Sequence, residues 1–263
     1  MDLAKLPPAF KLDVLRRLQA SPTDDPDLPD CCSASDNTPP PGLPPLLHTS
    51  RLTLITGDTL RELHDHGFAV VDGFLRDGKY ADTMSASGVD LAPASMNTAW
   101  STWVDGSIRG DSMTFLRRDD PTIPDAIMNV RKLLDKLAQE IGSATGMSVP
   151  EPEIQLARYD GNGSRYRAHL DSTATRCSHR TITAVLYLPS EDREADRRQW
   201  DPVSDGGCLK LHLSNGRHRL VEPQPNRLVL FASRWMLHEV LPCYRVRTAM
   251  TAWISLEAIT RTD

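Results

Sequence analysis

The sequence predicts an α+β fold, mainly β, with helices of the N-terminal half supporting a barrel or sandwich of short strands. Three observations carry this expectation. From Glu153 onward, short apolar or β-branched runs alternate with Gly, Pro and Asn turns, at 154–159, 166–171, 180–188, 207–213, 218–222, 227–231, 236–241 and 246–256. Strands at such regular spacing mark a closed or two-layered β architecture. Upstream, Thr122 to Ile141 keeps apolar residues at helical spacing (Ile123, Ile127, Val130, Leu133, Leu134, Leu137, Ile141). Finally, 263 residues with 40% hydrophobic and 25% charged content are enough for a sizeable core, in one or two domains.

In chain order, residues 1–20 read as a short amphipathic helix, with Phe10, Leu12, Val14, Leu15 and Leu18 at helix-compatible spacing and Pro7-Pro8 in the first turn. Residues 21–51 are proline-rich and acidic, a composition that buries little surface and reads as a disordered linker. The compact domain is expected over 52–258, with its β-rich half from about 153. Asp58 is the expected N-cap of a helix through His66, ended by Gly67. Phe68–Val71 reads as a buried strand, 77–87 as a helix, and Met113–Leu116 as a strand. Ala92 to Asp111 lacks periodicity and reads as a loop. Gly142 and Gly146 mark the end of the long helix.

Composition excludes several classes. The formal net charge is -5 and no basic tract of nucleic-acid-binding type appears. No stretch approaches the ~18 apolar residues of a membrane span. Met1 to Ala20 lacks the long apolar core and small-residue cleavage site of a secretory signal. The cysteines (Cys31, Cys32, Cys177, Cys208, Cys243) are odd in number and lack zinc spacing. A reduced, cytoplasmic or nuclear monomer is the expectation.

The chemistry-bearing residues lie in the β-rich half. In a strand, His169 and Asp171 share one face, because side chains alternate with a period of two. A second imidazole follows at His238. Two imidazoles and one carboxylate leave open positions on a metal, the facial triad of non-haem Fe(II) oxygenases, whereas structural zinc takes a closed four-ligand set. An eight-stranded jelly roll, which folds distant strands against each other, brings His238 to the same ion. A fixed cation nearby suits the far carboxylate of a 2-oxo acid. Arg245 and Arg247 are both placed for this, and spacing alone does not choose between them. The other histidines are not assigned to the metal: His64 and His66 face different ways on a helix, and His212 and His218 flank an Asn215-Gly216 turn and read as surface residues.

The segment from Tyr159 to Asp171 (Y-D-G-N-G-S-R-Y-R-A-H-L-D) resembles the Y-x-G-N-G-x-x-Y-x-x-H-x-D signature of the egl-nine-type prolyl hydroxylases, the Fe(II)/2-oxoglutarate enzymes that act on hypoxia-inducible factor. Further segments agree in order: Arg180–Thr183 with Leu186-Tyr187-Leu188, Trp200-Asp201, Gly206–Leu209, Asn226–Phe231, His238–Pro242 and Arg247–Trp253. His66–Leu75 and Ile108–Asp111 match upstream. The resemblance implies a double-stranded β-helix (jelly roll) core, with iron held by His169, Asp171 and His238. It implies that Arg247 pairs with the 2-oxoglutarate C5 carboxylate through a two-pronged guanidinium contact. Tyr187 would add a hydroxyl there, Tyr159 and Thr251 would line the same pocket, and Arg180 and Trp253 would meet substrate. The implied cofactors are Fe(II), 2-oxoglutarate and O2, with ascorbate as reductant. The implied partner is a protein bearing a target proline, hydroxylated with release of succinate and CO2, in an oxygen-sensing role. Ala92–Asp111 is the candidate lid, and Arg109-Gly110-Asp111 is not an adhesion motif. Glu191–Arg198 is a charged insertion relative to the family. Three other functions compete: a non-catalytic jelly roll that binds 2-oxoglutarate or peptide, a related oxygenase with another substrate, and a metal-dependent hydrolase using water at the same ligands, which would leave Arg247 unexplained.

Overall fold

A computed structural model describes residues 43–49, 52–75, 88–97, 102–190, 196–213 and 216–259. The helix expected over 1–20, most of the linker and the helix expected over 77–87 lie outside these residues. Helix α1 spans Gly57–His66 and α2 spans Asp125–Thr145. The strands are β1 (Phe68–Val71), β2 (Ala92–Pro93), β3 (Met96–Asn97), β4 (Thr102–Trp103), β5 (Ser112–Phe115), β6 (Glu153–Tyr159), β7 (Ser164–His169), β8 (Arg180–Leu188), β9 (Leu209–His212), β10 (His218–Val221), β11 (Leu228–Ala232), β12 (His238–Cys243) and β13 (Arg247–Ser255).

The N-cap of α1 is Thr56, not Asp58. Thr56 has the extended backbone a cap requires, and its hydroxyl accepts from the Thr59 amide at 3.2 Å. Asp58 sits in the first turn and pairs with Arg61. Helix α2 starts later than its apolar pattern because Asp120 accepts from the Thr122 amide at 2.9 Å and holds a turn ahead of Pro124. It also runs past Gly142, which is helical: a Cβ there would sit 2.3 Å from Val149 Cγ2. Gly146, at φ 66°, ends the helix in the left-handed conformation.

The strands form a seven-stranded sheet, β1-β11-β8-β13-β6-β5-β2, and a four-stranded sheet, β10-β9-β12-β7. From β6 onward the chain crosses back and forth between the two sheets in a jelly-roll order, broken only by the β9–β10 hairpin within the smaller sheet, so strands distant in sequence become neighbours. Alternate residues of each central strand enter two different cores. Ile182, Ala184 and Leu186 pack outward with Leu60, Leu63, Leu134, Leu137 and Ile141 of the helices. Val185 and Tyr187 pack inward with Leu209, Leu211, Val229, Phe231 and Ala249. Both faces of β8 and β11 are buried, which is why their sequences are apolar without alternation.

Three expectations are corrected. The 92–111 stretch is not a plain loop: β2 pairs with β5, and β3 with β4. The packed body reaches back to Leu43, because Leu43 and Leu46 cover the helical core, and the Leu47 and His48 amides satisfy the carbonyl of Ala144 near the α2 C-terminus at 2.7 and 3.0 Å. His212 is buried, with Nε2 3.3 Å from Glu239 Oε1 and Lys210 Nζ 3.4 Å from the same oxygen.

Candidate metal centre and anion pocket

Register builds the centre. Strand β12 runs antiparallel to β7 with His238 opposite His169, which sets the two imidazole centroids 4.3 Å apart. Asp171 lies just beyond the end of β7, outside the strand expected for it, yet its carboxylate turns between the rings. His169 Nε2 is 3.6 Å from Asp171 Oδ1, and His238 Nε2 is 3.7 Å from Asp171 Oδ2. One ligand atom from each residue lies within 4.8 Å of the other two, a spacing that can hold one ion.

Each group is aimed by a partner. His169 Nδ1 lies 2.8 Å from the Arg167 carbonyl, and His238 Nδ1 lies 2.9 Å from the Met236 carbonyl. With the Nδ1 protons donated to these oxygens, both Nε2 lone pairs face the centre, the usual support of metal-binding histidines. Thr183 donates to Asp171 Oδ2 at 2.8 Å and is itself 2.8 Å from Ser233 Oγ. Burial opposes ionisation of Asp171, but the His238 and His169 rings and the Thr183 hydroxyl outweigh it and hold the carboxyl far below the usual range. Burial, and then His169, push His238 down to about 4. At neutral pH the cluster thus offers a carboxylate and, at His238, a neutral imidazole, the protonation state a divalent cation needs.

Arg247, the first residue of β13, is buried and stands in register with Tyr159 of β6. Its Nη2 lies 3.4 Å from Tyr187 Oη, and its guanidinium carbon lies 4.9 and 5.0 Å from the Tyr159 and Tyr187 ring centroids. Its Nε has no partner, and among the described residues no carboxylate pairs with it. A buried cation without an anion is costly, so this pocket suits a ligand that brings a carboxylate. Arg245 is occupied elsewhere: it lies before β13, stacks on Trp200 at 4.5 Å, and meets Asp196 and Asp205 at 3.3 and 3.4 Å. Gly207 adds a constraint that the sequence reading missed, since a Cβ there would lie 2.5 Å from Cys243 Sγ and 3.5 Å from Arg247 Cδ.

Thr251 lies on the same face of β13 as Arg247, two alternations further along, and is half-buried. Arg180 and Trp253 come together, with the guanidinium 3.9 Å from the indole centroid and Nε 2.6 Å from Glu153 Oε2. Arg180 Nη1 also reaches the Asp171 carbonyl at 3.5 Å, which places this pair beside the metal cluster. Thr183, on β8, and Ser233, in the turn after β11, went unrecognised in sequence because a short hydroxyl gives no pattern of its own.

The geometry has a counterpart in known proteins. A family model described as the 2OG-Fe(II) oxygenase superfamily matches residues 154–255. That interval contains the triad, Arg247 and the jelly-roll strands. Residues 154–255 form a 2OG-Fe(II) oxygenase domain. The oxygenase domain and its flanks are similar to the hypoxia-inducible factor prolyl hydroxylase of Caenorhabditis elegans, at 29% identity over 77% of this chain; the chain spans 28% of that protein's length. Among solved structures, a Pseudomonas putida prolyl-4-hydroxylase matches at 28% identity and TM-score 0.61, covering 75% of this chain and 97% of that one. A prolyl hydroxylase from Trichoplax adhaerens, solved with a hypoxia-inducible factor peptide fragment, matches at 25% identity and TM-score 0.60, covering 75% and 87%. Among the described residues, no helix is long and apolar enough to cross a membrane.

Proposed function

We propose that this protein is an Fe(II)- and 2-oxoglutarate-dependent prolyl 4-hydroxylase acting on a proline of a protein substrate. The observation that carries the reading is the conjunction of a His169/Asp171/His238 cluster with a buried guanidinium, Arg247, that meets no carboxylate among the described residues. The likeness to prolyl hydroxylases of both sequence and structure supports the choice of substrate class.

His169, Asp171 and His238 would hold iron, and Arg247 with Tyr187 would hold the C5 carboxylate of 2-oxoglutarate. When bound, iron and 2-oxoglutarate supply an O2-driven hydroxylation of C–H, with 2-oxoglutarate converted to succinate and CO2. The chain's own residues contribute orientation. Carbonyls of Arg167 and Met236 aim the imidazoles, and Thr183 fixes the carboxylate. Tyr159 and Tyr187 wall the anion pocket and exclude water from the guanidinium. Arg180, stacked on Trp253 and in contact with the Asp171 carbonyl, would with that indole meet the target proline and its flanking backbone.

The test is anaerobic loading with Fe(II), ascorbate and 2-oxoglutarate, followed by O2 and a pool of proteome-derived peptides. The expected product is succinate together with peptides one oxygen heavier on proline. Uncoupled succinate with no modified proline would remove the substrate assignment and leave a related oxygenase. His169→Ala and Asp171→Ala are expected to lose both metal binding and succinate formation; full turnover by either would defeat the metal assignment.

A further inference from the structure

The Arg109-Gly110-Asp111 motif has a place in this fold that its sequence does not announce. It runs along the free edge of β7, the strand that ends in His169. Arg109 forms an antiparallel bridge with Tyr166. The Arg167 amide donates to the Ile108 carbonyl at 2.9 Å, and the Gly110 amide donates to the Arg165 carbonyl at 2.8 Å. Gly110 makes this approach possible, since a Cβ there would lie 3.0 Å from Ser164 Cβ and 3.3 Å from Ser164 Cα.

The side chains continue the contact toward the metal centre. Arg109 is held by Asp111 through two hydrogen bonds of 2.8 and 2.9 Å and by Gln155 at 3.1 Å. So fixed, its guanidinium carbon lies 4.6 Å from the Tyr166 ring centroid. The Tyr166 ring also stacks on His169: their centroids are 3.7 Å apart with an interplanar angle of 22°. The phenol ring thus contacts both a cation, anchored by a buried acid, and an imidazole. The carbonyl of Arg167 sets the edge of the His169 ring, and the stack sets its plane.

We propose that Tyr166 and Arg109 are positioning residues for His169, and that through them the Ile108–Asp111 segment is thermodynamically coupled to metal binding. The inference rests on the reading of His169 as a metal ligand. Coupling is reciprocal: what orders the segment tightens the metal, and the metal orders the segment.

The experiment uses the full chain freed of metal, with Co(II) alone as probe, titrated calorimetrically, and amide hydrogen exchange read over 108–110. In wild type, Co(II) is expected to slow exchange in that segment. Tyr166→Phe keeps the stack and is expected to bind Co(II) within about twofold of wild type, whereas Tyr166→Leu is expected to bind about tenfold more weakly, on the scale of other supports of metal ligands. Circular dichroism establishes that each variant is folded. Arg109→Lys, which leaves Asp111 a cation but removes the flat layer, is the second variant and is expected to lose about half of the Co(II)-dependent protection. Wild type that binds Co(II) through His169 while Tyr166→Leu and Arg109→Lys behave identically to it overturns the coupling alone. Co(II) binding that survives His169→Ala unchanged overturns the metal reading and the coupling with it.

Discussion

Arg247 shows how one side chain can state a requirement that no other described residue meets. Burying a guanidinium between two tyrosines strengthens any hydrogen bond it makes and penalises any it lacks. The fork of the guanidinium matches a carboxylate, and a lysine offers a point charge instead. Arg247→Lys is therefore expected to weaken 2-oxoglutarate binding about tenfold, near the value of one charge-assisted hydrogen bond, with Co(II) affinity unchanged; calorimetry with each ligand in turn checks both halves. His238 makes a second statement. Its imidazole is pushed from 6.5 to about 4, chiefly by burial, so between these values the unfolded chain binds a proton that the folded chain refuses. The group's contribution to metal-free stability is complete above about 6.5 and declines as pH falls toward about 4. Urea unfolding of the chelator-treated protein across that window should show the decline, and His238→Gln should flatten it.

Among the elements, helix α2 shows where local and tertiary instructions part. Its apolar stripe was readable from spacing, but its limits were not. Gly142 looks like a terminator by propensity, and it is held in the helix because Val149 needs the space a side chain would fill. Gly142→Ala is expected to destabilise by about 1–3 kcal/mol, the usual cost of overpacking, although alanine is the better helix former in isolation. A gain of stability in a denaturant melt would contradict this. The short strands tell a related story. All eight runs of the C-terminal half become β6 to β13, most as buried core strands, with β7 and β10 half-buried. Only the pairing decided that β7 ends at His169, which leaves Asp171 in the turn that follows.

For the molecule as a whole, the metal and anion sites share one scaffold: the triad hangs from the smaller sheet and its exit, and Arg247 from the larger. Ligands that bind only the folded state stabilise it by mass action. Co(II) at about 100 times its dissociation constant should add about 2.7 kcal/mol, a rise in melting temperature of roughly 5–10 °C for a domain of this size. Adding 2-oxoglutarate should raise it further in wild type and much less in Arg247→Lys. Differential scanning calorimetry reads both increments, and an equal 2-oxoglutarate increment in the two proteins would count against the anion pocket.

The sequence by itself determined the strand count of the C-terminal half, the long amphipathic helix and the identity of the residues able to hold a metal, because apolar periodicity and donor chemistry are local properties. It left Arg245 and Arg247 equal until family resemblance was considered, placed His212 on the surface, and assigned no partner to Arg109. Tertiary structure decided these, because burial, register and the pairing of charges are properties of residues far apart in the chain. Arg245 finds Asp196 and Asp205, Arg247 finds no acid among the described residues, and Tyr166 meets both a cation and an imidazole only once β7 meets both β12 and the 108–110 segment.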